Sequence, residues 1–512
     1  MSRRTREFAP AWRRPIRAAA ALCVALALGA PAALPHALAA PPGAAVSATD
    51  CTGRAPLLVV GGTPAGVAAA VAAARLGIPV LLTEARPYLG GDLTGAMLNV
   101  LDMDVDGEGR HLARGIFLEI YQRLGMTFDV ETAKKVFLDL VRQEPLITLR
   151  LRTRPLAVLA QGPWVTGVVI QDASRDDTET ICAERIIDAT DDADIAAMSG
   201  VPYQLGREGS GIDRAMMSAT LVFQVGGVDW RRLVTFLSGI SKRAMVRGGI
   251  RQRNVWGFGP TMKKYTPTQP DVAIYDLNIG LQNDGTVLIN GLLLFGVDGT
   301  DPASVADAMT RGRAELPFLI GFLQDNVPGF ARASLVRTAD YLYVRETRHV
   351  RGLYTLRVRD IEDGRVFWDA VGVASYPIDL HPYRPGQMNP YAARRLVYTI
   401  PFRSLVPVNT ANLLVASRSI SASYEAAGST RIAATTMEEG QAAGVAAALS
   451  LQARVSIKKL AETRALVRRL QAALYSQGAY LPPETVSTID RPAPAWPARR
   501  PPAVPGGASD GR

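Results

Sequence analysis

Two rhythms of apolar and polar residues run along this chain. A continuous apolar run, Leu57–Val60, has strand length and suits a parallel strand buried on both faces. A glycine-punctuated turn follows, then an Ala- and Val-rich segment, Pro64–Leu76, read as a helix able to lie close to a sheet. A second apolar run, Val80–Thr83, is closed by Glu84. Residues 112 to 143 read as helical, after a turn at Asp106–Gly109. From Thr148 to Asp172 apolar and polar residues alternate as in half-buried strands, with Gln161-Gly162-Pro163 as the turn, and Glu179–Ala189 continues the pattern.

Residues 205 to 400 change character. Aromatic residues become more frequent, strand-like runs occur at Ala219–Val225, Ala273–Leu281 and Thr286–Leu294, and a helix is expected over Pro302–Asp325. This stretch reads as a mainly antiparallel α+β insertion that would cap a substrate. Leu413–Ala416 and a small-residue helix, Glu438–Leu449, restore the first pattern, so the C-terminal third completes the first domain. The expected plan is an α/β, Rossmann-like domain at 55–204 and 401–455, the insertion at 205–400, a C-terminal helix at 456–480 and a disordered Pro/Ala-rich tail at 481–512.

The turn after Leu57–Val60 reads Gly61, Gly62, Thr63, Pro64, Ala65, Gly66. Strand, glycine turn, helix, strand and terminal acid in this order make a dinucleotide-binding βαβ unit. The helix-start amides face a pyrophosphate, and a carboxylate at Glu84 accepts hydrogen bonds from a ribose. Threonine replaces the middle glycine of the usual fingerprint. Arg86–Gly95, with Gly90, Gly91 and Thr94, is a loop leaving the second strand where open α/β sheets place their ligands.

Charge and cysteines alter the picture mainly at the ends. Six arginines precede the apolar run Ala18–Leu28, and Ala37-Leu38-Ala39 precedes Ala40. This is the pattern of a signal peptide over residues 1–39; eleven apolar residues are too few to span a bilayer. Arg13-Arg14-Pro15-Ile16 resembles a twin-arginine signal, a route suited to a chain that folds around its cofactor before export. The leader holds half of the net charge of +10, and no dense basic block remains, so nucleic acid is not an expected partner. A periplasmic or secreted location is expected, without stable membrane insertion after cleavage. Cys51 and Cys182 precede the ends of two strands and would meet at one sheet edge if those strands are neighbours, so a disulfide is expected, against the alternative of two free thiols. Asp188, Asp191, Asp192 and Asp194 lack the spacing of a calcium loop, and no metal site is assigned.

Several segments together resemble the bacterial FAD-dependent oxidoreductases, within the glutathione-reductase-like superfamily and under a loose xanthan-lyase-like label. They are Val59–Gly66, Leu89-Gly90-Gly91 with Thr94-Gly95, Ile187–Asp191, Gly296–Pro302, Val344–Arg348 with Gly352, Ser375–His381, Ile400–Leu405, Asn412–Arg418 and Gly440–Gly444. The resemblance covers roughly residues 55–455, with departures at Thr63, Thr347 and Ser417. It implies FAD in an extended pose. Adenosine would lie at Glu84 and Ala85, pyrophosphate over Gly61–Gly66, and flavin near Gly90, Gly91 and a helix start at Gly440, with Ala189, Thr190, Asp191, Arg418, Gln441 and Ala442 contributing.

A single dinucleotide unit without C-x-x-C points to direct hydride exchange between flavin and a small-molecule substrate, anionic or carbohydrate-derived. The electron acceptor stays open. His381, two residues after Asp379, is the candidate for the accompanying proton, and His349 is second. Arg348 and Arg403 are candidates to clamp an anionic group, or else form salt bridges at the sheet edge. A polysaccharide-lyase-like enzyme and an FAD-binding protein without turnover are the alternatives.

Overall fold

The structure, a computed structural model, describes residues 51–239, 249–251, 253–391 and 394–487. The leader expected over residues 1–39 and most of the tail expected over 481–512 lie outside them.

Strand β1 (Gly53–Val60) is fully buried over its last four residues and leads into helix α1 (Pro64–Ala74), every residue of which is buried. Strand β2 (Val80–Thr83) follows, then helices α2 (Ile116–Leu124) and α3 (Val130–Arg142). The helical stretch expected over 112–143 is thus two helices, because Gly125 takes a positive φ and stops the first. Strands β3 (Ile147–Arg150), β4 (Thr153–Gln161), β5 (Trp164–Asp172) and β6 (Asp177–Asp188) complete the run.

Among the described residues these strands form a sheet in the order β3-β2-β1-β6-β5-β4, with Leu413–Val415 paired to the last residues of β6. The β3-β2-β1-β6 block and Leu413–Val415 are parallel, whereas β4, β5 and β6 run antiparallel. That split explains the two rhythms. The inner parallel strands are covered on both faces, so the end of β1 and all of β2 read as unbroken apolar runs, while the outer strands, parallel β3 included, alternate.

Cys51 and Cys182 form a disulfide, with Cα atoms 5.7 Å apart. Gly53 pairs with Ile181 and Arg54 with Cys182, so the two chains were already neighbours.

A second sheet, all antiparallel, runs in the order 249–251, 254–257, 277–281, 287–290, 223–226, 334–338. Val305, Leu316, Leu319 and Leu323 of the helix Pro302–Asn326 share one apolar core with it. That core draws mainly on residues 219–342, less than the 205–400 expected. Leu356, Phe367, Val371, Tyr398 and Ile400 join the core of the first sheet instead, because the hairpin of Ala370–Ala374 and Tyr398–Pro401 packs on the helix Ala433–Ala453.

The C-terminal segment is two helices, Ile457–Glu462 and Arg464–Ser476, rather than one. At the start of the expected tail, Leu481 is buried against Ala472.

Candidate functional site

Parallel pairing sets Val60 opposite both Thr83 and Asp188, so the loops leaving β1, β2 and β6 converge. Gly61 has φ +106°, and a Cβ there would lie 2.4 Å from the Ala189 carbonyl oxygen. A Cβ on Gly66 would lie 1.8 Å from the Gly61 oxygen, so α1 can start this close to the sheet only with glycine. The Thr63 hydroxyl accepts from the Gly66 amide at 3.1 Å and donates to the Ala189 carbonyl at 2.9 Å. Threonine in the place of the middle glycine therefore caps α1 and ties it to β6. Pro64 has no amide proton, and the amides of Thr63 and Ala65 find no protein acceptor among the described residues. They lie at the positive end of the α1 dipole.

Glu84 is buried; its carboxylate accepts from the Gly62 amide at 2.7 Å and the Arg86 amide at 2.8 Å. Two oxygens offer about four lone-pair sites, which leaves capacity for a ribose hydroxyl. Ala85 beside it is exposed. The Gly90 amide donates to the Gly62 carbonyl, and a Cβ on Gly91 would lie 3.4 Å from the Thr63 Cα, so this loop rests on the turn. The Thr94 hydroxyl is spent within the loop, on the Leu89 and Gly91 carbonyls. The Thr190 hydroxyl is likewise spent on Asp188, at 2.6 Å. Arg418 reaches Asp192 at 2.7 Å, Asp92 at 3.2 Å and Asp191 at 3.8 Å. Burial first, then the Asp191 charge, raises Asp92 to about 7.

The helix expected to start at Gly440 starts at Ala433. Gly440 lies inside it, where a Cβ would come 2.1 Å from the Ala65 carbonyl oxygen; Gly444 meets Ala69 in the same way. These glycines bring two parallel helices together. Gln441 accepts from the Ile116 amide at 3.1 Å, and Ala442 is buried in the core, so both are structural rather than cofactor contacts. Ala433 precedes Gly440 by seven residues, about 10 Å along the axis. The free amides of this helix therefore begin about two turns beyond the phosphate turn of α1, as an extended dinucleotide requires.

A second group of side chains gathers at that helix start. Arg431, just before it, donates to the Asp379 carboxylate at 2.9 Å and to the Tyr343 hydroxyl at 2.8 Å. His381 Nε2 lies 3.3 Å from Asp379 Oδ2. Asp104, fully buried, accepts from the Ser375 and Tyr376 amides at 2.6 and 2.9 Å and from the Thr435 hydroxyl at 2.8 Å. It thereby fastens the loop carrying Asp379 and His381 to the helix's first turn. Burial pushes the Asp104 carboxyl up. Burial first, and next the Arg345 charge, holds His381 down to about 4, so the imidazole is neutral at neutral pH. Burial works the other way on Asp379, but the hydrogen bond from His381 and the Arg431 charge hold its carboxyl well below the usual range.

His381 and Asp379 lie together; Arg348 and Arg403, candidates to clamp an anionic group or to form salt bridges, both pair with carboxylates of the protein. Arg348 donates to the Asp192 carbonyl at 2.6 Å and the Asp194 carboxylate at 2.9 Å, bracing the loop after β6. Arg403 makes a two-pronged pair with buried Asp369, at 2.8 and 3.1 Å. Both satisfy local carboxylates, the salt-bridge alternative. His349 is buried, with Nε2 2.9 Å from Glu346. Sequence reasoning missed Arg431, Arg345, Tyr343 and Asp104. Arg345 stands in the same Val344–Arg348 motif as Arg348, but it turns to Ser218 and Thr220 whereas Arg348 turns to Asp192 and Asp194.

A family model described as FAD dependent oxidoreductase matches residues 56–474. No curated protein matches. Among solved structures, the chain is similar to the myxobacterial chondrochloren halogenase CndH, with TM-score 0.42 and 13% identity over 83% of each chain. It is also similar to p-nitrophenol 4-monooxygenase PnpA from Pseudomonas putida DLL-E4, with TM-score 0.40 and 10% identity over 85% of this chain and 92% of that one. A geranylgeranyl bacteriochlorophyll reductase-like protein from Thermoplasma acidophilum gives TM-score 0.39 and 10% identity, over 83% and 86%.

Proposed function

Given that this chain belongs to the FAD-dependent oxidoreductase family, we propose that it is an exported enzyme that exchanges hydride between FAD and a small-molecule substrate. The substrate would sit where the loop carrying Asp379 and His381 meets the start of the helix Ala433–Ala453. The observation that carries this reading is that juxtaposition, about two turns beyond the phosphate turn.

FAD, when bound, supplies the two-electron acceptor or donor. Thr63 and Ala65 would hold its diphosphate through their amides, and Glu84 its adenosine ribose. The amides of the helix start would meet negative charge at the far end. Asp379 beside His381 Nε2 favours the proton on that nitrogen and leaves the Nδ1 lone pair to take a proton from the substrate or return it. Arg431 fixes the Asp379 carboxylate, and Asp104 fixes the loop.

Two features support export. The disulfide suits an oxidising compartment, and the residue pattern of the first 39 positions suits a cleaved leader. Among the described residues no helix is long and apolar enough to cross a membrane.

The test is a visible spectrum of the purified mature chain, followed by anaerobic addition of small-molecule substrates. A yellow protein that one compound bleaches is expected; a colourless protein that refuses added FAD overturns the reading. His381→Ala is expected to keep the flavin and to lower turnover at least tenfold. Unchanged turnover removes His381 from proton transfer.

A further inference from the structure

We infer that Arg345 is the anchor for a carboxylate of the substrate, and hence that the substrate is a small carboxylic acid; this rests on the reading of the His381 site given above. Arg345 is 3% exposed, and its Nη1 donates to the Ser218 carbonyl and the Thr220 hydroxyl, both at 2.8 Å. Its guanidinium lies 4.4 Å from the centre of the Tyr343 ring. Those contacts hold it in place. None of them neutralises it.

The contrast with the other arginines around the site is the argument. Arg431 has Asp379, Arg348 has Asp194, Arg403 has Asp369, and Arg418 has Asp92 and Asp192. Arg345 has no carboxylate within ion-pair distance among the described residues. A buried charge without a counter-ion is costly. Arg185, also buried without a carboxylate, has every guanidinium nitrogen bonded to Ser450, Glu184 or Val455 oxygens, whereas Arg345 keeps donors that a ligand could use. Burial, together with the Arg431 charge, lowers the Arg345 pKa to about 10, so the group is still a cation at neutral pH.

The geometry of the unused donors fits a carboxylate. Nε and Nη2 have no protein acceptor among the described residues, yet neither is sealed from solvent as the unpaired Nε atoms of Arg348, Arg418 and Arg431 are. Adjacent Nε and Nη2 protons form the planar fork that grips two carboxylate oxygens at once. Arg345 stacks on the Tyr343 ring, whose hydroxyl accepts from Arg431, which in turn pairs with Asp379 beside His381, so the guanidinium belongs to the same cluster as the proton-transfer group. A carboxylate brings one negative charge to Arg345, whereas a phosphate dianion would add a second beside Asp379 and Asp102, the carboxylates that already face Arg431.

The experiment is isothermal calorimetry of the purified holoprotein against sodium acetate, lactate and benzoate, with acetamide, lactamide and benzamide as uncharged counterparts. At least one acid is expected to bind ten or more times tighter than its amide. Arg345→Met is expected to abolish that difference, and Arg345→Lys, which keeps the charge but loses the fork, to weaken acid binding at least threefold. Retained FAD absorbance shows that each variant is folded; if Arg345→Met fails to fold, the lysine variant alone decides. Failure of every acid to bind overturns the inference, as does equal acid binding by wild type and variants. A protein that holds no FAD but loses acid binding with Arg345→Met would leave the anchor standing while the redox reading fell.

Discussion

The proton-transfer role proposed for His381 requires that its surroundings fix its charge state, and they hold the imidazole neutral. Burial and the Arg345 charge keep His381 neutral down to about pH 4. If its unprotonated form does the work, turnover stays level from neutral pH down to about 5 and falls below that. Replacing Arg345 by Met removes a positive neighbour, makes protonation easier, and should shift this acid limb to higher pH; a pH–rate profile for the two proteins checks it. Stability follows the same sign. The unfolded chain takes up a proton near pH 6.5 that the folded chain refuses until about 4, so stability contributed by neutral His381 is lost as pH falls through that window. His381 and Asp379 were legible in the sequence because they share one short loop. Arg431 and Arg345 were not, because their closeness to that loop depends on the fold: Arg431 is 50 residues from His381 in sequence, and Arg345 lies in the segment that bridges to Thr220.

At the scale of elements, two parallel helices set the spacing of the site. Gly440 and Gly444 let the helix Ala433–Ala453 lie on Ala65 and Ala69 of α1. Gly440→Ala puts a Cβ 2.1 Å from a backbone oxygen that cannot move without disturbing the start of α1. It is expected to cost roughly 1–3 kcal/mol, read as a lower denaturant midpoint, and to weaken FAD binding. The sequence marked Gly440 as special but not the reason, since a glycine at a helix start and one at a helix crossing look alike without the partner helix.

The loop elements give a second expectation. Asp92, raised to about 7 by burial and Asp191, sits in the loop resting on the phosphate turn. A bound diphosphate favours its protonated form further, so FAD should bind more tightly at pH 6 than at pH 8. Asp92→Asn should flatten that dependence in a fluorescence titration.

Across the whole molecule, the Cys51–Cys182 bridge ties the entrance of β1 to β6 over a sequence separation of 131 residues. Closing a loop of that size removes chain entropy worth about 5 kcal/mol from the unfolded state. Reduction is therefore expected to lower the melting temperature, and the mature protein unfolded without reductant should show no free thiol; a count of two would remove the bridge. The chain order alone determined the βαβ unit around Gly61–Glu84 and the antiparallel insertion, because strand and helix periodicity and turn glycines are local properties read within a few tens of residues. It also set Cys51 and Cys182 at similar lengths before strand ends, but the pairing of those two strands, and so the meeting of the cysteines, belongs to the sheet. Only the tertiary structure decided which core owns residues 356–400, which arginines around the site find carboxylates, and that Arg345 is buried with donors unused. Those are matters of what a side chain meets across the fold, and burial and pairing of charges depend on neighbours brought together from distant parts of the sequence.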